Sequence, residues 1–130
     1  IRNYIKTMSY IQVNQIINKI HESSLKAGIA INPETPISDL KEYIEKVDLI
    51  CLMGVNPGFA GQKFIESTTD RLKELKQLII SYGSNALIEV GGGVNKDNFQ
   101  NLKSNGADVL VAGSYIFNSP DYNIAIDALK

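Results

Sequence analysis

Four short apolar runs, each rich in β-branched residues, constrain the fold of this chain most strongly. They are uniformly apolar rather than alternating, which is typical of parallel strands buried on both faces. Between them, apolar residues recur three and four positions apart, a pattern that predicts amphipathic crossover helices. The four predicted strands cover residues 28–32, 49–55, 86–90 and 109–112.

The segments between the runs carry the expected helical pattern and its end signals. Thr35 and Pro36 suit an N-cap and a first helical turn, and Gly83 and Gly106 suit left-handed C-terminal positions. We also expect a short strand near residues 9–12, before the first helix. The apolar positions are Val13, Ile16, Ile17 and Ile20; then Leu40, Tyr43, Ile44 and Val47; then Ile65, Leu72, Leu75 and Ile79; then Phe99 and Leu102.

This alternation predicts an α/β fold built on a parallel sheet, either open and doubly wound or closed into a barrel. The strand ends recur about every 27 residues, so eight units would need roughly 210 residues, near the lower end for a complete barrel. The chain has 130 residues. We expect one domain over residues 1–130, either a small open sheet or the C-terminal part of a barrel. Because the chain begins without Met or a signal-peptide pattern, we expect a truncated sequence.

The composition of the chain limits the classes of partner that it can be expected to bind. Thirteen basic and 14 acidic residues leave a net charge of −1, which gives no electrostatic reason to expect nucleic acid or an anionic membrane. The single cysteine, Cys51, excludes an internal disulfide and an all-cysteine metal cluster, and it favours a reducing compartment such as the cytoplasm. No apolar run approaches the length of a membrane span. We therefore expect a small-molecule partner.

Glycine clusters follow three of the four predicted strands, at residues 56–62, 91–93 and 113–114. Parallel strands end at one edge of the sheet, so these clusters should share that edge. Glycine permits positive φ and lets an anion approach backbone N–H groups, which a phosphate would use. The sequence contains neither GxGxxG nor a Walker A motif, so a dinucleotide or nucleoside triphosphate has no specific support.

Four segments together resemble the ribulose-phosphate 3-epimerase family: residues 26–36, 53–64, 88–94 and 106–117. The related hexulose (allulose) 6-phosphate 3-epimerases share much of the pattern. The resemblance implies a (β/α)8 TIM barrel, of which this chain is the C-terminal half with strands about four or five to eight. It further implies a divalent metal (Zn, Fe or Mn) and inversion at C3 of a ketose phosphate through an enediolate. Because half a barrel leaves strand edges unpaired, we also expect a homo-oligomer.

That reaction needs an acid/base group on each face of the substrate and a cation for the enediolate oxygens. In the family, one carboxylate is the Asp of an I-E-V-D-G-G-V pattern, and Gly91 occupies that position here. The other carboxylate and two His ligands come from early strands, so we assign neither a catalytic residue nor a metal ligand to this chain. Gly54 also replaces the hydroxyl residue common in the family.

The remaining site expectations follow from the resemblance and from strand alternation. We expect His21, the single histidine, on the surface, Glu89 as a buried structural side chain, and Asp108 as a structural residue at the N-terminal end of its strand. Met53 is expected to line the sugar pocket. Phosphate contacts are expected from Gly58, Phe59, Ala60, Gly61, Gly92, Gly93, Gly113 and Ser114.

Three functions remain open at this point. The first is an epimerase of D-ribulose 5-phosphate and D-xylulose 5-phosphate, or of allulose 6-phosphate, inactive as this isolated chain. The second is a non-catalytic phosphosugar-binding protein, because Gly91 can neither bind a metal nor transfer a proton. The third is another phosphate-binding barrel, such as an indole-biosynthesis or thiamine-pathway enzyme, which should lack the segment 56–62.

Overall fold

A computed structural model describes residues 10–130, and the first nine residues lie outside the description. Within that range, helices and strands alternate as the sequence predicts. The helices are α1 (Tyr10–Glu22), α2 (Thr68–Ser81), α3 (Phe99–Ser104), α4 (Gly113–Phe117) and α5 (Tyr122–Asp127), with a 3-10 helix at Ile37–Leu40. The strands are β1 (Gly28–Ile31), β2 (Leu49–Met53), β3 (Leu87–Gly91) and β4 (Val109–Val111).

The four strands form one parallel sheet in the order β1-β2-β3-β4. Each strand is therefore beside its neighbour in sequence, and each connection crosses from the end of one strand to the start of the next. This is half of a (β/α)8 barrel, and it confirms the predicted fold class. Across the middle of the sheet, Ala30, Cys51, Glu89 and Val109 lie in register.

The two faces of the sheet differ in burial. Side chains on the outer face, such as Ile50, Leu52 and Ile88, are completely buried and pack with Leu72 and Leu75 of α2. On the inner face, Leu87 is 46% and Val111 47% exposed. The expectation of strands buried on both faces thus holds for the outer face, and the part of the chain that is described leaves the inner face open.

Two predicted elements differ from the structure. Residues 10–12, expected as a strand, begin helix α1, while residue 9 lies outside the described range. The crossover between β1 and β2 is a 3-10 helix followed by turns, with Pro36 rather than Thr35 at its N-cap. Its apolar positions nevertheless face the core, since Leu40, Ile44 and Val47 are all buried.

Carboxylates secure the N-terminal edge of the sheet. Asp48, just before β2, accepts a hydrogen bond from the backbone N–H of Ala27 at 2.7 Å and lies 3.0 Å from Nε2 of His21. Asp108, just before β4, accepts one from the N–H of Ile88 at 2.8 Å. His21 is exposed, as expected, and Asp108 lies at the N-terminal end of its strand, as expected for a structural residue. No helix within residues 10–130 has the length and hydropathy to cross a membrane.

Candidate functional site

The carboxyl edge of the sheet, where β2, β3 and β4 end, brings the glycine clusters to one side of the molecule. Met53, Gly91 and Val111 are in register at this edge. The segment after β2 is called here the β2 loop (residues 54–67), and the segment after β3 the β3 loop (residues 92–98). Gly113 follows β4 at the same edge, so all three clusters lie where the sequence places them.

The β2 loop is closed by one side-chain amide. Nε2 of Gln62 donates to the carbonyl oxygen of Asn56 at 2.7 Å and to that of Phe59 at 3.0 Å. Gly61 has a φ of 78°, in the left-handed region where a side chain would be strained. Because Gln62 occupies two carbonyl oxygens, the loop presents fewer acceptors that would repel an anion.

The β3 loop uses the same device. Gly92 and Gly93 have positive φ values of 95° and 72°. The Nδ2 groups of Asn95 and Asn98 both donate to the carbonyl oxygen of Gly93, at 3.2 and 3.0 Å. The glycine turn is thus held by side chains from the residues that lead into α3, and the Gly93 carbonyl oxygen is again occupied.

The β2 and β3 loops touch through their backbones. The N–H of Gly54 donates to the carbonyl oxygen of Gly91 at 2.7 Å. A Cβ placed on Gly54 would lie only 2.7 Å from the carbonyl oxygen of Gly92, and one placed on Gly93 only 2.8 Å from the backbone of Phe64. The close approach of the two loops in this structure therefore leaves no room for a side chain at either Gly54 or Gly93.

The β4 cluster is brought to the edge by strand register. Gly93 and Gly113 lie two residues beyond the paired Gly91 and Val111. A Cβ on Gly113 would meet no atom within 4 Å, so its surroundings are open. Ser114, beside it, is partly buried. Backbone N–H groups and a hydroxyl beside loops whose carbonyls are occupied make an arrangement suited to an oxyanion.

Sulfur and carboxylate groups line the inner face below this edge. Sγ of Cys51 lies 3.8 Å from Sδ of Met53. Burial, and then the hydrogen bond with Glu89, raise the pKa of the Cys51 thiol to about 12, so it stays protonated at neutral pH. Glu89 was expected to be buried, but it is partly exposed on the inner face. In a closed barrel, the opposite strands would cover this face, and residues 10–130 contain only four strands.

Gly91 stands at the end of this row. A Cβ there would lie 3.8 Å from Cβ of Val111 and 4.0 Å from the sulfurs of Cys51 and Met53, so the site has space for a side chain. Among residues 10–130, no three His, Cys, Asp or Glu side chains come together in a group that could hold a metal ion. The described residues at this edge therefore do not fit a metal.

Sequence reasoning placed the glycines correctly but missed the side chains that fix them. Gln62, Asn95 and Asn98 hold the loops, and Phe64 packs where the two loops meet. Their proximity to the glycine clusters was the available signal. Phe59, expected to contact the phosphate, is 76% exposed.

Comparisons with known proteins show which family this chain resembles in sequence. Residues 4–117 match the model of the ribulose-phosphate 3 epimerase family. The chain is 47% identical over 110 residues to the ribulose-phosphate 3-epimerase of Serratia marcescens, covering 85% of this chain and 52% of that protein. It is 44% identical over 118 residues to that of Escherichia coli K12, covering 91% and 52%. The chain thus spans about half the length of these relatives.

A solved structure supports the fold independently. A chain from the tryptophan synthase complex of Pyrococcus furiosus superposes with a TM-score of 0.70 at 18% sequence identity. The match covers 95% of this chain and 52% of the other, and at this identity it bears on the fold alone. Fold, carboxyl-edge glycine loops and sequence similarity agree, and the chain belongs to the ribulose-phosphate 3-epimerase family.

Proposed function

We propose that this chain is the phosphate-binding half of a carbohydrate-phosphate 3-epimerase. The observation that carries the proposal is the joined pair of glycine loops, in which side-chain amides occupy the carbonyl oxygens of Asn56, Phe59 and Gly93. Glycine removes the side chains that would keep an anion away from the backbone. The contacts we propose come from Gly58, Phe59, Ala60, Gly61, Gly92, Gly93, Gly113 and Ser114.

The proposed substrates are D-ribulose 5-phosphate and D-xylulose 5-phosphate, in cytoplasmic pentose phosphate metabolism. The names of the relatives support a ribulose phosphate, and allulose 6-phosphate is the alternative. The sugar would lie toward the inner face, where the partly exposed Met53 is positioned to line its pocket. The unpaired Cys51 suits a reducing compartment.

Proton transfer at C3 requires groups that residues 10–130 do not supply at this edge. Gly91 stands where the family resemblance places an acid/base Asp, and glycine carries no proton. Glu89 faces the same side two residues earlier, one layer below the carboxyl edge. The resemblance implies a divalent metal, but the described residues do not fit one. We therefore derive phosphate binding from this chain and no catalytic step.

Gly91 also favours a second function, a phosphosugar-binding protein without catalysis. In that protein the glycine loops would bind the phosphate while proton transfer is lost. The two proposals share the phosphate site and differ in chemistry, so binding tests the first step and proton exchange at C3 distinguishes them.

Calorimetric titration with ribulose 5-phosphate, inorganic phosphate and unphosphorylated ribulose tests the site. We expect the two phosphates to bind and ribulose to bind far more weakly. Gly113→Val should block binding without unfolding the chain, because a Cβ there meets no protein atom within 4 Å. Ser114→Ala should weaken binding by about 1 kcal/mol through loss of a hydroxyl contact. Unchanged affinity in Gly113→Val would place the site elsewhere.

A further inference from the structure

We propose that Phe64 is a positioning residue that holds the β2 and β3 loops in one fixed arrangement at the carboxyl edge. The inference rests on the proposed phosphate site and deepens it, because it names a side chain that fixes the conformation of the glycine loops. Phe64 itself is buried, with 8% of its surface exposed.

Phe64 touches a glycine of each loop-forming segment. Its ring packs on Gly54, where an added Cβ would lie 2.8 Å from Cε2 and 2.9 Å from Cδ2. Its backbone packs on Gly93, where an added Cβ would lie 2.8 Å from both N and Cα. The two contacts come from opposite parts of one residue, so Phe64 fills the position at which the loops meet.

Hydrogen bonds on either side maintain the same geometry. The carbonyl oxygen of Gly54 accepts from the N–H of Ile65 at 2.8 Å, while the N–H of Gly54 donates to Gly91 at 2.7 Å. A Cβ on Gly92 would lie 2.5 Å from Cγ2 of Val55, which adds a second packed contact between the loops. The Phe64 ring therefore supports the junction from the Gly54 side, while the Phe64 backbone supports it from the Gly93 side.

Fixed loops matter because glycine-rich backbone has the greatest conformational freedom to lose on binding. An anion bound by several N–H groups requires all of them in place at once. If the loops are already ordered, that entropy cost is met during folding rather than during binding, and affinity rises. Loss of the buried Phe64 ring should thus weaken phosphate binding by loosening the loops.

The first test compares Phe64→Leu with a matched core variant, Leu75→Ala, whose side chain is completely buried in α2 and distant in sequence from both loops. Phosphate affinity is measured by calorimetry well below the melting temperature of each variant. We expect Phe64→Leu to bind inorganic phosphate about tenfold more weakly. Leu75→Ala should lose more thermal stability yet bind as the unaltered chain does, which a merely structural role for Phe64 would not predict.

Amide hydrogen exchange tests the same inference without a ligand. We expect faster exchange at residues 92–94 in Phe64→Leu and an unchanged rate there in Leu75→Ala. If the unaltered chain binds no phosphate, the proposed function fails, while the exchange result still decides whether Phe64 positions the loop. Unchanged affinity together with unchanged exchange in Phe64→Leu would overturn the inference.

A second variant is available if Phe64→Leu does not fold. Gly54→Ala retains the ring and places a methyl group 2.7 Å from the Gly92 carbonyl oxygen, so the loops must separate. We expect faster exchange at residues 92–94 and weaker phosphate binding. A folded Gly54→Ala chain with the exchange and affinity of the unaltered chain would equally overturn the proposal.

Discussion

Gly93 and Gly58 belong to the same glycine-rich edge, but their surroundings constrain them very differently. Gly93 combines a φ of 72° with backbone contact to Phe64, so both its conformation and its lack of a side chain are required. A Cβ on Gly58 would meet only Nε2 of Gln62, at 3.9 Å. Gly93 is therefore a folding requirement as well as a proposed ligand contact, whereas Gly58 can vary without strain.

Gly93→Ala should destabilise the chain by about 2 to 4 kcal/mol, since it adds strain at positive φ to a collision with backbone. Gly58→Ala should change stability by less than about 0.5 kcal/mol. Urea denaturation followed by circular dichroism measures both. Equal urea midpoints for the two variants would contradict the close contact between Gly93 and Phe64.

The positions of the glycines were predictable from sequence, but the side chains that fix them were not. Strand ends are marked locally by the change from apolar residues to glycine. By contrast, the bonds from Gln62 to Asn56 and from Asn98 to Gly93 depend on the folded path of each loop. Sequence spacing does not determine that path, because glycine leaves many backbone conformations open.

At the scale of elements, prediction succeeded where a short apolar run has no alternative to a buried strand. All four strands were predicted with ends within two residues of those observed. It was wrong at residues 10–12, where the apolar pattern of α1 simply begins earlier. Between β1 and β2, the spacing of Leu40, Ile44 and Val47 predicted a regular helix with these residues buried. The residues are buried, but the segment is a 3-10 helix followed by turns. Both i−3 and i−4 backbone bonds occur in that segment.

Hydrogen bonds at the N-terminal edge of the sheet should make its stability depend on pH. The bond from the Ala27 N–H, followed by the bond with His21, holds the pKa of Asp48 below its ordinary value of 3.8. The folded chain therefore takes up this proton less readily than the unfolded chain. The stabilisation is complete above the ordinary pKa and is lost as pH falls through the lowered one.

Asp48→Asn should thus lower the urea midpoint near neutral pH and reduce the loss of stability between about pH 5 and about pH 2. Asp39→Asn, at an exposed position in the 3-10 helix, is the matched control and should leave the pH profile unchanged. Denaturation midpoints measured across this range provide the test. A profile for Asp48→Asn parallel to that of the unaltered chain would exclude Asp48 as the cause.

At the scale of the whole molecule, the described half-barrel leaves surfaces that a closed barrel would cover. Within residues 10–130, β1 pairs only with β2 and β4 pairs only with β3, so each of these two strands has one unpaired edge. Apolar side chains are exposed on the inner face and in the segment after β4, where Phe117 is 72% and Ile124 69% exposed. Unpaired strand edges beside apolar surface favour association between chains.

We therefore predict that the 130-residue chain self-associates, as the expected homo-oligomer requires. Ile124→Lys should weaken association. Ile80→Lys should not, because Ile80 is equally exposed at 68% but belongs to α2, which packs on the interior strand β2. Sedimentation velocity over a range of concentrations distinguishes the three chains. A compact monomer of the unaltered chain, or equal effects of the two substitutions, would contradict the prediction.

Catalysis is also a property of the whole molecule, because inversion at C3 requires acid/base groups on both faces of the substrate. We infer from the family resemblance that Gly91 stands in place of one such group, and residues 10–130 hold no cluster that could bind a metal. We predict that this chain, even with Zn²⁺, Mn²⁺ or Fe²⁺ added, does not exchange the C3 proton of ribulose 5-phosphate for solvent deuterium at an enzymatic rate. Proton NMR in deuterated buffer measures that exchange.

Gly91→Asp provides the matching gain of function. The position has space for the side chain, since a Cβ there lies 3.8 Å or more from its neighbours. One carboxylate completes neither a metal site nor a two-sided proton transfer, so Gly91→Asp alone should remain inactive. Joined to the first half of the Escherichia coli relative, the Asp variant should exchange the C3 proton about 10²- to 10⁴-fold faster than the same fusion with Gly91. Exchange by the unaltered chain alone would instead assign proton transfer to another residue, with Glu89 the first to test.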